Sequence, residues 1–412
     1  MKNKIRTYRY ILIGLLIIST VILSEFVTQN ISEKEQANAV EQYYEEHPFE
    51  QESVEEISSE PESQEESSVS ESNLTESSVP KSESKSSVTS KASKAEEKKP
   101  VPVPQENNII KLIDYTKAAT YKTIDSQINT LCKAYPDLIT RGSIGKSVRG
   151  RKIFLVTVGK GTKKALIVGG IHAREHITVS FIMRCIEDYA AAYYSEDGRM
   201  DGYNIKKLLD EYTLYIVPNT NPDGTEIVLS GEYPATSVTV TKRSMYKANA
   251  NGVNLNRNFP FQWENIIPET DAPDEKKYIG SSAGSEPETQ ALMKLCKEND
   301  FEWMTSMHLQ GDCIYWSDEV NINVGGYADG VVTPICKKFD FYKCPTSTDL
   351  SLYGGGFENW FRAEYNKIGL CIELVPLDYN VSPTTNKDNL RFEASLRYSK
   401  TRGVFAAMMS LV

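Results

Sequence analysis

The chain is predicted to fold as an α/β domain with a largely buried central sheet and helices on both faces, preceded by a disordered spacer. Three observations carry that expectation. Short apolar runs rich in Val, Ile, Leu and Tyr alternate with segments of helical periodicity from residue 107 onward. The composition breaks ahead of that point, where aromatic residues vanish after Phe49 and return at Tyr115. Residues with metal-binding chemistry fall at or just past the ends of the expected strands, where sheets of this class gather their function.

Residues 1–39 read as an export signal. Lys2, Lys4, Arg6 and Arg9 precede an apolar run from Tyr10 to Leu23, which Glu25 ends. The run has the length of a signal-peptide core and is short of the ~20 residues that a spanning helix needs. Ala37-Asn38-Ala39 offers a cleavage site. Left uncleaved, the same segment would anchor the protein, and that is the one membrane contact expected. The location implied is extracellular, on the wall side of a bacterial membrane.

Residues 40–106 read as a flexible spacer. From Glu41 to Val79 there are 13 Glu and no Lys or Arg, and from Pro80 to Pro104 the composition turns to Lys, Ser and Pro. Such a stretch buries too little apolar surface to offset chain entropy, so no folded inhibitory pro-domain is expected in it. Residues 107–412 form the folded unit, with no second linker and no internal repeat. The formal net charge of −10 and the lack of a basic stripe argue against nucleic acid as a partner. Nothing in the pattern requires more than a monomer.

Within the folded unit, residues 153–158, 165–169 and 212–217 are expected strands, bounded by Gly, Lys or Pro. Residues 178–192 carry helical spacing, as do 286–296 after the start signal Ser285-Glu286-Pro287. Residues 301–307 and 370–374 read as strands, with a helix at 357–365 ahead of the second. All seven cysteines lie in this unit, and none forms a CxxC pair, so a Cys-type zinc site is not expected. Their odd number leaves at least one thiol unpaired.

Histidine is scarce. Of four, His47 lies in the spacer, while His172, His176 and His308 lie in the folded unit. His172-Ala173-Arg174-Glu175-His176 follows an expected strand and the pair Gly169-Gly170, which frees the backbone to turn sharply. His308 ends another expected strand. Imidazole and carboxylate are ordinary zinc ligands, and three protein ligands leave a coordination position open for chemistry. His172, Glu175 and His308 are therefore the candidate ligands of one Zn2+ per chain. The same five residues also fit H-x-x-E-H, in which both histidines bind the metal and the Glu is the base, provided that all five lie on one helix. The Gly-Gly turn argues against that helix, and the motif leaves His308 unused.

These residues resemble the zinc carboxypeptidase family across residues 107–412. Ser143-Ile144-Gly145-Lys146-Ser147 with Gly150-Arg151 is similar to the family's start. Gly170–Glu175 resembles its first ligand motif, Gly252-Val253-Asn254-Leu255-Asn256-Arg257-Asn258-Phe259 its substrate-carboxylate motif, and Met307-His308-Leu309-Gln310-Gly311 its third-ligand motif. Gly355-Gly356, Trp360 and Cys371-Ile372-Glu373 resemble the segment that ends in its catalytic glutamate. The resemblance implies a mixed sheet, His172, Glu175 and His308 around zinc, and Glu373 as general base. It implies that Asn256 and Arg257 bind the free carboxylate of a peptide substrate, for which the planar fork of Arg is suited. It places Arg174 in the substrate site, and Glu358 near the specificity pocket, where a carboxylate favours an amino group on the substrate. The Arg that polarises the scissile carbonyl in the family has no clear counterpart; Lys247 is the nearest, with Arg243 as the alternative. Counting back from Gly355 puts Ser351 where the digestive branch has a mobile Tyr, with Tyr353 two residues on.

The spacing ahead of Asn256-Arg257, and Ile314-Tyr315-Trp316 after the third-ligand motif, are closer to the bacterial cell-wall branch, which resembles γ-D-glutamyl-diaminopimelate and L-diamino acid peptidases. With the export signal, this points to peptidoglycan stem peptides as substrate. A general secreted carboxypeptidase and a non-catalytic wall-peptide-binding module are the alternatives.

Overall fold

The computed structural model describes residues 112–115, 117–375 and 397–412. The expected export signal and spacer, 1–39 and 40–106, lie outside the described residues. Among the described residues there are ten strands: β1 (Ile139–Lys146), β2 (Lys152–Gly159), β3 (Lys163–Val168), β4 (Arg199–Met200), β5 (Tyr203–Asn204), β6 (Tyr212–Val217), β7 (Phe301–His308), β8 (Cys313–Tyr315), β9 (Tyr342–Lys343) and β10 (Ile368–Glu373). The helices are α1 (Tyr121–Ala134), α2 (Ile177–Tyr193), α3 (Ile205–Glu211), α4 (Pro222–Leu229), α5 (Pro287–Lys297), α6 (Ile322–Phe339), α7 (Leu350–Tyr353), α8 (Phe357–Tyr365), α9 (Tyr398–Thr401) and α10 (Val404–Leu411).

Eight strands form one sheet in the order β1-β2-β6-β3-β7-β10-β8-β9, while β4 and β5 pair separately. The sheet is mixed. Its centre, β6-β3-β7-β10, is parallel; β2 and β8 pair with it antiparallel, β1 pairs antiparallel with β2, and β9 parallel with β8. The side-chain period of a strand sorts the core into two layers. In β3, Ala165 and Ile167 join one apolar cluster with α2, α6 and α10, while Leu166 and Val168 join another with α5 and α8. In β10, Ile368, Leu370 and Ile372 point into the first cluster, which leaves Gly369, Cys371 and Glu373 on the opposite face.

The expected strands and helices all form, with ends shifted by at most two residues. Helix α2 is buried at every position except Ala191, which marks a helix enclosed by the fold and not one lying on it. Two of the elements not anticipated have weak local signals. β1 is polar, with only Ile139 buried. α6 contains Gly325, Gly326, Gly330 and Pro334, residues that disfavour helix interiors, yet Ala328, Val331, Val332 and Ile335 are buried in the first cluster. Tertiary burial there outweighs propensity. All seven cysteines lie among the described residues and are unpaired.

Candidate active site

The site forms at the carboxyl ends of the parallel strands. Beyond β3, Gly170 adopts φ +59, and a Cβ there would meet Asn219 Oδ1 at 2.6 Å, so only glycine makes this turn without strain. The chain then enters a single 3-10 turn, Ala173–Glu175, before α2 begins at Ile177. His172 stands ahead of the turn and Glu175 at its end. Backbone contact fixes the turn, because Ala173 N donates to Lys247 O at 3.1 Å. The third residue, His308, is the last of β7 and pairs in register with Glu373, the last of β10.

Two imidazoles converge on one carboxylate. His172 Nδ1 lies 2.8 Å from Glu175 Oε1, and His308 Nδ1 lies 3.0 Å from Glu175 Oε2. Leu309 N donates to the same Oε2 at 3.2 Å. All three side chains are buried, and their ligand atoms lie within 4.8 Å of one another. Two neutral-capable nitrogens and a carboxylate are a donor set that suits zinc. His176 does not take part. It sits between the 3-10 turn and α2, and its buried Nε2 has no partner among the described residues. One helix spanning His172 to His176 does not form, which rules out the H-x-x-E-H arrangement.

Each histidine is held through its outer nitrogen. His172 Nε2 is 3.2 Å from Asn254 Oδ1. His308 Nε2 is 2.9 Å from Ser306 Oγ and 3.2 Å from Glu358 Oε1. Asn254 and Ser306 were not anticipated, although each lies two residues from an anticipated one. In β7 that spacing puts Ser306 on the same face as His308.

A cavity of about 160 Å³ opens beside this cluster, lined by Lys247, Asn256, Arg257, Glu358, Arg362 and Glu373 among others. That volume is close to a ~150 Å³ cavity that takes one benzene ring, so it suits a single substrate side chain. Glu373 Oε2 is buried and has no partner among the described residues. Burial pushes its carboxyl up to about 8, with the Glu175 charge adding and His308 opposing. A carboxyl of this kind is suited to moving protons near neutrality.

Arg257 lies half-buried on the cavity wall. Its Nε donates to Ser351 O at 3.0 Å and its Nη1 to Asn256 O at 2.6 Å, which fixes the guanidinium plane. Gly355 makes this packing possible. It adopts φ +64, and a Cβ there would stand 2.5 Å from Arg257 O. Asn256 accepts Phe357 N at 2.8 Å and its Nδ2 approaches Glu358 Oε2 at 3.4 Å. Lys247 lines the cavity, and burial lowers the pKa of its amine against the pull of Glu175 and Glu373. Arg243 is committed elsewhere. Its Nη1 donates to Ile227 O at 2.7 Å and Glu232 O at 2.6 Å.

Arg174 does not line the cavity; it stands at the edge, with Nε 3.9 Å from Glu175 Oε1 and Nη1 3.8 Å from Met245 Sδ. Glu358 lines the cavity, is 2% exposed and is tied to His308. Ser351 contributes its carbonyl to Arg257, and Tyr353 turns its hydroxyl to Glu319 Oε1 at 2.7 Å.

The zinc carboxypeptidase family model matches residues 124–366. A γ-D-glutamyl-L-diamino acid endopeptidase 1 of Lysinibacillus sphaericus is 29% identical over 315 residues, covering 73% of this chain and 74% of that protein. Carboxypeptidase B of Canis lupus familiaris is 31% identical over 317 residues, covering 69% of this chain and 71% of that protein. The crystal structure of thrombin activatable fibrinolysis inhibitor superposes with a TM-score of 0.58 at 22% identity, covering 72% of this chain and 77% of that one, a likeness of fold.

Proposed function

The chain belongs to the zinc carboxypeptidase family, whose members are zinc-dependent hydrolases, and on that premise we propose that it is an exported peptidase that trims peptidoglycan stem peptides. The observation that carries the enzymatic part is the convergence of His172 and His308 on Glu175 beside a buried, unpartnered Glu373 oxygen. His172, Glu175 and His308 are the residues that would hold the zinc. When bound, zinc supplies Lewis acidity at this position and makes water easier to deprotonate.

The chain's own residues account for the rest. Glu373 takes a proton from the attacking water and returns it to the leaving amine. Arg257, with its plane fixed by two carbonyls and its Nη2 without a partner among the described residues, receives the free carboxylate of the substrate, and Asn256 lies alongside. Lys247 supplies positive charge where the scissile carbonyl gains negative charge. A non-catalytic binding role leaves Glu373 without a purpose, because an unpaired carboxyl in a strand end costs free energy.

Two features support the stem-peptide substrate: the likeness to an endopeptidase named for a γ-D-glutamyl-L-diamino acid bond, and the basic-then-apolar amino-terminal segment that favours export. The likeness to carboxypeptidase B favours the second reading, a general secreted carboxypeptidase. Incubating zinc-loaded monomeric protein with a purified stem peptide and with a simple basic-ended peptide, read by mass, separates the two. Cleavage of the stem peptide at its diamino acid is expected. Cleavage of the basic-ended peptide alone would contradict it.

A further inference from the structure

We infer that Glu358 is a positioning residue for His308, so that the acid lining the substrate cavity also orients a metal ligand. The inference rests on the reading of His172, Glu175 and His308 as ligands. Both nitrogens of His308 are engaged. Nδ1 faces Glu175, so a metal there requires the ring proton to sit on Nε2. Nε2 is met by Ser306 Oγ at 2.9 Å and Glu358 Oε1 at 3.2 Å. A carboxylate accepting the outer N–H of a metal-bound imidazole fixes its tautomer and ring angle and makes the ring a stronger donor.

The fold holds Glu358 for this task. It occupies the first turn of α8, where the helix N-terminus favours negative charge. Asn256 Nδ2 steadies its second oxygen at 3.4 Å. An acid 2% exposed needs partners, and the cluster supplies His308 at 3.2 Å and Asn256 at 3.4 Å. The two histidines therefore have unlike outer partners. His172 meets the neutral amide of Asn254; His308 meets a hydroxyl and a charge. An ammonium entering the cavity finds Glu358 already engaged, so removing Glu358 disturbs metal binding before it disturbs side-chain selection.

The test uses the full chain, stripped of metal and titrated with Zn2+ against a chromophoric chelator, with no substrate present. Outer partners of this kind are worth about 10- to 100-fold in metal affinity. Glu358→Ala is expected to weaken zinc by that range. Glu358→Gln, which keeps an acceptor oxygen but no charge, is expected to weaken it by about 10-fold or less, still measurably. The visible spectrum of the Co2+-loaded protein is expected to shift in both. If Glu358→Ala does not fold, judged by far-UV circular dichroism, the near-isosteric Gln variant decides alone. Unchanged zinc affinity and Co2+ spectrum, with only a raised KM for basic-ended peptides, overturn the inference and make Glu358 a selectivity group. Wild-type protein that binds no zinc overturns the ligand reading beneath it. Wild-type protein that binds zinc but spares stem peptides overturns the substrate proposal, while the Glu358 titration still stands as evidence for the positioning role.

Discussion

Two buried clusters of acids in this molecule behave in opposite ways. Around His308, burial raises the pKa of Glu358, but the hydrogen bond and charge of the imidazole outweigh it and hold the carboxyl down at about 2. At the amino end of α5, Glu288 is fully buried, and its oxygens accept from its own backbone N–H and from Val148 N and Asn249 Nδ2, the latter two at 3.1 Å. Burial wins there, helped by the charge of Asp223, and pushes Glu288 up to about 7. Burial alone therefore does not decide whether a carboxyl is charged; the partners beside it do. The first cluster is built to stay ionised and face a metal. The second is built from neutral donors and tolerates protonation.

The largest effect expected on that contrast comes from Glu373, the acid beside the first cluster that lacks a partner. Glu373→Gln is expected to lower kcat by about 10²- to 10⁴-fold, the usual worth of a general base, with zinc content unchanged. Steady-state kinetics with a parallel metal assay check this. Full activity in the variant would assign the proton transfer elsewhere. Arg257→Ala comes next. A hydrogen bond to a charged group is worth about 1.5–3 kcal/mol, so the variant is expected to lose about 10- to 150-fold in kcat/KM. The loss should vanish for a substrate whose terminal carboxylate is amidated, because wild type is then equally impaired.

Glu288 gives the smallest effect, on stability and not on activity. Its folded pKa of about 7 exceeds the ordinary glutamate value of 4.5, so the folded state holds the proton more tightly than the unfolded state. Its stabilising contribution is complete below about pH 4.5 and is lost as pH rises towards 7. The shift corresponds to roughly 3 kcal/mol at most. Glu288→Gln, which cannot ionise, is expected to flatten the fall in Tm between pH 5 and 8. A pH profile identical to wild type would show that neutral donors suffice to hold a charge in that cluster.

The sequence revealed the parts of this arrangement that depend on local pattern. β6 and α8 run over the expected residues, because apolar runs and helical spacing are local signals. The ligand triad was legible because three histidines in one folded unit leave few combinations, and the Gly-Gly turn after β3 excludes a helix through His176. The partners of those ligands were not legible. Glu358 sits 50 residues from His308 in sequence, and a charged residue in the first turn of a helix looks the same whether it meets solvent or an imidazole. Arg174 stands at the cavity edge, with Nε 3.9 Å from Glu175 Oε1 and Nη1 3.8 Å from Met245 Sδ, a position that only the folded 3-10 geometry sets. β1 and α6 escaped notice because polar composition in one and glycine and proline in the other speak against the element that burial and pairing impose.

The central claim is that one divalent cation is held between His172, Glu175 and His308, and crystallography of zinc-loaded protein at the zinc absorption edge tests it most directly. The expected result is one anomalous peak per chain, about 2.0–2.1 Å from Nδ1 of both His172 and His308, with the Glu373 carboxylate facing its open side. A peak on His176, or one that excludes His308, would contradict the account.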